Sequence, residues 1–223
     1  MALINLRNAL MTGKRWKNPY QTSDNALIAM WDGLQGGFTE LFGHTTTETS
    51  IVRTNNGIYC TSSNSNISIP DFVYGSFGSF SIEYVYSGFA VQSRRNFFNN
   101  AANSRGFTFF NLNNSNGASF ETRLEYQTTG LNDQLQYTQQ LPSSGTGGCF
   151  IESKNTGIYK AIFFNGGIVT SRTSWRAFLD NNGISISPLL RCTIHCIRLY
   201  SRALTADEIA YNYAIDRARF GLP

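Results

Sequence analysis

Residues 194–209 read Ile194-His-Cys-Ile-Arg-Leu-Tyr-Ser-Arg-Ala-Leu-Thr-Ala-Asp-Glu-Ile209, and their period changes midway. The first half is a β-type run of Ile, Leu and Tyr. The second half carries a capping box, Thr205-Ala-Asp-Glu208, in which the Thr hydroxyl accepts from the Glu backbone N–H and the Glu carboxylate reaches back. Beyond it Ile209, Tyr213 and Phe220 can share one helical face, and Gly221 before Leu222-Pro223 stops the helix. A strand that hands over to one capped helix therefore closes the chain.

Upstream, the pattern is short strands and turns. Ala26 to Trp31 is a buried-type run ended by Asp32-Gly33, and Phe80 to Tyr86 alternates, with Phe80, Ile82 and Tyr84 facing one way. Phe107–Leu112 and Phe120–Tyr126 are bounded by Asn, Ser and Gly clusters, and Leu135–Gln139 pairs back on the strand before it. Gly157–Phe164 runs into Asn165-Gly166 and returns as Gly167–Thr170, a hairpin whose two turn residues need positive φ. Asp180-Asn-Asn-Gly183 is a second turn, leading to Ile184–Ser187. Asn, Ser, Thr and Gly make up 84 of the 223 residues and charged residues only 14%, which excludes a helical bundle, a coiled coil and a membrane span. The expected fold is all-β: a two-sheet antiparallel sandwich with one short C-terminal helix packed on a side.

The first 23 residues differ in character. Leu3, Leu6 and Leu10 recur at helical spacing, Gly13 follows, and Lys14-Arg15-Trp16-Lys17 is basic. Such a helix is too short to be stable alone in water, so its apolar stripe needs a surface. Leu3, Leu6, Leu10, Arg15 and Trp16 are the docking candidates, whether on the chain's own domain or on a neighbouring subunit. Residues 1–23 are thus an arm or strap, and 24–223 a single domain. The net charge of +4 comes from Arg7, Lys14, Arg15 and Lys17, because residues 24–223 carry equal numbers of basic and acidic side chains. A neutral body argues against nucleic acid as a partner. Four scattered cysteines make no disulfide framework, and no apolar run marks a signal peptide or membrane insertion. Synthesis in a reducing cytoplasm is expected.

The closing strand and capped helix resemble the end of laminin-G-like, concanavalin A-like jelly-roll domains. The Phe-Phe-Asn-Gly turn of the 158–168 hairpin and the Ala26–Gly33 run resemble two further blocks of that family, in the family's order. Leu6 to Arg15 resembles leaders on such domains in gut Bacteroidetes and their phages. The resemblance implies a concanavalin A-like jelly roll with ligands on its concave face or rim loops. It also implies a place on a virion (tail, fibre or capsid decoration) or extracellular surface, as a homo-oligomer among other virion or assembly proteins.

A glycosidase needs two carboxyls about 5–9.5 Å apart. Glu121 and Glu125 on one strand face are ~13 Å apart, and Glu83 and Glu152 are single. Zinc is not expected, since on a strand His195 points away from Cys196 and should be half-exposed. Asp180 and Asn182 offer oxygens for calcium as a cofactor, although a hairpin turn uses the same residues. No nucleophile motif or phosphate loop occurs, so catalysis is not expected. Sugar binding needs aromatic faces and amide or charged groups for paired hydroxyls. The segments Arg94–Asn100, Asn111–Asn116 and Ser171–Arg176 read as polar loops stocked with those types. Trp175, Arg176, Tyr137, Asn99 and Asn114 are the carbohydrate-binding candidates. The expected function is a non-catalytic, lectin-like module for a glycan or bacterial surface polysaccharide. The alternatives are a structural virion jelly-roll subunit docked by its arm, and a glycoside hydrolase.

Overall fold

The fold is described from a computed structural model. It describes residues 18–34, 38–60, 66–69, 78–88, 95–99, 106–114, 117–125, 133–137, 139, 141–155, 157–174, 184–186 and 192–223. Six strands come first: β1 (Leu27–Asp32), β2 (Thr39–Glu40), β3 (Thr47–Thr49), β4 (Ile51–Thr54), β5 (Gly57–Cys60) and β6 (Asn66–Ile69). The middle of the chain forms β7 (Phe80–Ser87), β8 (Arg95–Asn99), β9 (Gly106–Asn114), β10 (Gly117–Glu125) and β11 (Asp133–Tyr137). Then follow β12 (Gly145–Lys154), β13 (Gly157–Phe164), β14 (Gly167–Ser174), β15 (Ile184–Ile186), β16 (Thr193–Tyr200) and the helix α1 (Ala206–Phe220).

These strands pair into two antiparallel sheets, the sandwich expected of a jelly roll. The first runs β14-β13-β12-β7-β16-β1-β2, with β5 also on β16 and β4 on β5; the second runs β11-β10-β9-β8-β15-β6-β3. The last strand, β16, enters the middle of the first sheet between β7 and β1. Among the described residues no helix is long and apolar enough to cross a membrane.

One core lies between the sheets and holds Trp31, Ile67, Ile69, Ile82, Tyr84, Leu135, Ile162 and Ile197. A second lies between the first sheet and α1 and holds Tyr20, Met30, Val85, Phe150, Phe163, Tyr200 and Ile209. This third layer alters the expected alternation of β7. Phe80, Ile82 and Tyr84 face the inter-sheet core, but Ser81, Glu83 and Val85 are buried too. The backbone N–H of Leu204 donates to the Ser81 hydroxyl, and Asn212 of α1 donates to Glu83, so the second face of β7 is closed by the helix and its approach.

The turn chemistry follows the sequence. Asn165 (φ 45°) and Gly166 (φ 84°) both occupy the left-handed region between β13 and β14. The Asn165 side-chain oxygen also accepts from the Thr146 N–H at 3.0 Å, tying the turn to β12. The capping box is complete: Glu208 N donates to Thr205 Oγ1 at 3.2 Å, and Thr205 N donates to Glu208 Oε2 at 2.9 Å. Gly221 (φ 68°) ends the helix by donating to the Arg217 carbonyl.

The helix face differs from expectation. Its buried residues are Ile209, Asn212, Asp216 and Arg219, so three of the four side chains pressed on the sheet are polar. Tyr213 and Phe220 are half-buried at the margins. The face is set by the partners waiting on β7 and β16, which are charged.

Candidate functional site

Three of the carbohydrate-binding candidates fall among the described residues, all on the second sheet. Asn99 ends β8 and pairs with Thr108 of β9 and Ser185 of β15. Asn114 ends β9 opposite Gly117. Tyr137 ends β11 opposite Phe120, which in turn pairs with Asn111. Projected on β9, the three fall in rows three residues apart, spreading them over ~20 Å along the strand. They share a sheet without converging on a point.

Two expectations are corrected here. The segments read as Asn-rich loops around Asn99 and Asn114 are strands, because Phe97, Phe98, Phe107, Phe109 and Phe110 set a strand preference that the asparagines do not overcome. Ser171 to Ser174 likewise belong to the edge strand β14 rather than to a loop. Tyr137 is half-buried and packs on the inter-sheet core. Trp175 and Arg176 follow directly on β14 and lie outside the described residues, as do Asp180, Asn182, Leu3, Leu6, Leu10, Arg15 and Trp16.

Beneath α1 the chain assembles a charged cluster that the sequence reading missed. Arg198 of β16 meets Asp216 of α1 through two bonds, Nη1 to Oδ1 and Nη2 to Oδ2, each 2.7 Å. Its Nε donates to Glu83 of β7 at 2.8 Å. Tyr20 lies with its ring centroid 4.1 Å from the Arg198 guanidinium carbon, and its hydroxyl donates to Asp216 Oδ1 at 2.7 Å. Thr146 of β12 donates to the other Asp216 oxygen at 2.8 Å. Arg219 extends the cluster, donating to the Tyr20 hydroxyl at 3.0 Å and to Asp32 of β1 at 2.5 Å. Asn212 bridges Glu83 and the Tyr200 hydroxyl. Tyr20 belongs to the 1–23 segment, yet its side chain is part of the body of the domain.

Two members of this cluster, Arg198 and Tyr20, each keep one protonation state. Burial works to lower the Arg198 pKa, and the facing charges of Asp216 and Glu83 overcome it, so the guanidinium stays charged. Burial pushes the Tyr20 phenol up, and the Asp216 charge adds to it, so Tyr20 stays a neutral donor. Burial raises the Glu83 carboxyl as well, against the pull of Arg198. Glu83, Asp216 and Asp32 are all 0–1% exposed. Carboxylates sealed in this way brace a helix; they do not reach a glycosidic oxygen.

A second buried group is His195. It is 4% exposed, where half-exposure was expected, because a register shift beside it turns the ring under the helix end. Its Nδ1 lies 2.8 Å from the Asn56 carbonyl, which fixes Nδ1–H as a donor, and its Nε2 accepts from the Ser87 hydroxyl at 2.7 Å. The ring stacks on Phe220 at 5.5 Å. Burial lowers its pKa, with the Asn56 bond acting against that. The Gly33–Gly57 corner admits this close packing, since a Cβ on Gly57 would lie 2.2 Å from the Ile194 carbonyl oxygen. Both ring nitrogens are used by the protein itself. Among the described residues no three His, Cys, Asp or Glu side chains gather in a way that could hold a metal ion. Cys149, Cys192 and Cys196 are buried reduced thiols.

No family model and no curated protein sequence matches this chain. Solved structures do, at low identity. A structure of botulinum neurotoxin type C, described as entering cells through interaction with two ganglioside molecules, superposes with a TM-score of 0.67 at 10% identity, over 86% of this chain and 51% of that one. The binding domain of botulinum neurotoxin DC in complex with SialylT gives 0.68 at 11% identity, over 86% and 51%. The botulinum neurotoxin type G receptor-binding domain gives 0.64 at 15%, over 85% and 51%. The chain therefore shares the β-sandwich fold of toxin receptor-binding domains and spans about half the length of those structures.

Proposed function

We propose that this chain is a non-catalytic, lectin-like module that binds a carbohydrate or cell-surface ligand. The observation that carries the reading is the fold likeness over 85–89% of the chain to domains that bind receptors. The described acids support it: Glu83 and Asp216 are held by Arg198 and Asp32 by Arg219 under α1, and Asp24 and Glu208 are both paired with Arg202. In the finer form of the proposal the ligand is a bacterial surface polysaccharide and the module sits on a phage virion. The arm with Leu3, Leu6, Leu10, Arg15 and Trp16 docks it there. Trp175 and Arg176, which follow β14 in the sequence, supply the stacking face and paired donors for a sugar, and Asn99 and Asn114 supply amides along the second sheet.

The test is binding of the full-length protein to a broad panel of glycans and bacterial polysaccharides, first with calcium and then with chelator. Selective binding supports the module, and its loss under chelator shows that binding needs calcium, for which Asp180 and Asn182 are the candidate ligands. Silence across the panel, from protein with a cooperative melt, replaces the proposal with a structural jelly-roll subunit.

A further inference from the structure

The outward face of α1 has a pattern that the fold uses only along one edge, where the Ala210 backbone lies beside the Gly166 turn. The inward face is occupied by Ile209, Asn212, Asp216 and Arg219. At roughly 100° per residue the opposite arc carries Ala206, Ala210, Ala214 and Ala218, and all four are exposed. Asp207 and Arg217 lie on the same arc, also exposed, with the Arg217 guanidinium carbon 5.9 Å from the Tyr213 ring centroid. Tyr211 on its flank is 59% exposed, above any other large hydrophobic side chain among the described residues.

These positions are symmetric about one point. Asp207 stands as far before Asn212 as Arg217 stands after it, and the outer and inner alanine pairs are centred on the same residue. A two-fold axis crossing the helix at the level of Asn212 would therefore set Asp207 of one copy against Arg217 of the other, at both ends of the contact. It would also set alanine against alanine along the seam, where small side chains allow helix axes to approach to ~8 Å.

We propose that the outer face of α1 is a self-recognition surface, on which two copies of this chain pair with their helices antiparallel. The charge pattern selects a second copy as the occupant, because the face is complementary to itself. A contact of one helix per partner is small, so the dimer is weak and concentration-dependent.

Sedimentation velocity of the full-length protein over a concentration series tests this, with a thermal melt on every variant. Ala214→Arg places a long charged side chain on the seam without touching the sheet, and it is expected to abolish the dimer at an unchanged melting temperature. Asp207→Arg and Arg217→Asp each set like charges opposite one another twice, and each is expected to weaken dimerisation at least tenfold. The double variant Asp207→Arg/Arg217→Asp restores opposite charges across the axis and is expected to recover most of that loss. Both charges also complement their helix ends, and the double variant forfeits that contribution twice, so only pairing across the axis lets it recover. A wild-type chain that is monomeric at every concentration overturns the proposal. So does a dimer indifferent to Ala214→Arg, or a double variant no better than the single ones.

Discussion

Arg198 and Asp216 face each other through two parallel 2.7 Å bonds, with both side chains at 0% exposure. One sits on the strand that completes the first sheet and the other on the helix that follows, 18 residues later. The pair docks α1 on the sheet. Asp216→Ala leaves Arg198 buried with one carboxylate instead of two and is expected to cost about 3–5 kcal/mol. Urea unfolding measures this, with Asp207→Ala on the exposed face expected to cost under about 1 kcal/mol.

Tyr20 extends the same argument to the start of the described chain. Removing residues 1–17 keeps Tyr20 between Arg198 and Arg219, so a cooperative unfolding transition close to that of the full chain is expected. Removing residues 1–23 takes the ring and its hydroxyl away and is expected to cost about 3–5 kcal/mol more. Equal stability of the two truncations would show that the Tyr20 contacts contribute nothing.

His195 makes stability pH-dependent. Its folded pKa lies below the ordinary value near 6.5, so the unfolded chain binds more protons as pH falls through that value. Its contribution is complete above pH ~6.5 and is lost on acidification, at no more than about 1.4 kcal/mol per pH unit. Urea midpoints between pH 7.5 and 5 should fall, and His195→Asn should flatten the slope while lowering stability at neutral pH.

Gly57 permits the backbone to approach β16 beside His195. Gly57→Ala puts a Cβ against the Ile194 carbonyl, with no flexible side chain to yield, and is expected to cost ~3 kcal/mol. Thermal melts resolve a change of that size.

For ligand binding, Trp175→Ala is expected to weaken any glycan affinity at least tenfold at an unchanged melting temperature. Tyr137→Ala, which opens the inter-sheet core, is expected to lower stability by about 2–4 kcal/mol. A large stability loss on Trp175→Ala would mark the tryptophan as a core residue.

The sequence by itself determined the local elements of this protein. The Asn165-Gly166 turn, the Thr205–Glu208 capping box, the Gly221 stop and the runs at Ala26, Phe80 and Gly157 are read from neighbours within a few residues. Their physics is backbone sterics and short-range hydrogen bonding. The same locality misled at Asn99 and Asn114, where turn-forming asparagines sit among phenylalanines that pair across strands. Only the tertiary structure decided the charged cluster, since Tyr20, Glu83, Thr146, Arg198 and Asp216 are far apart in the chain and each alone looks like a surface residue. A helix with Asn212, Asp216 and Arg219 on one face reads as solvent-facing until a sheet brings the complementary charges beneath it. Burial then makes each bond depend on the others, because a partner left unpaired there has no water to turn to.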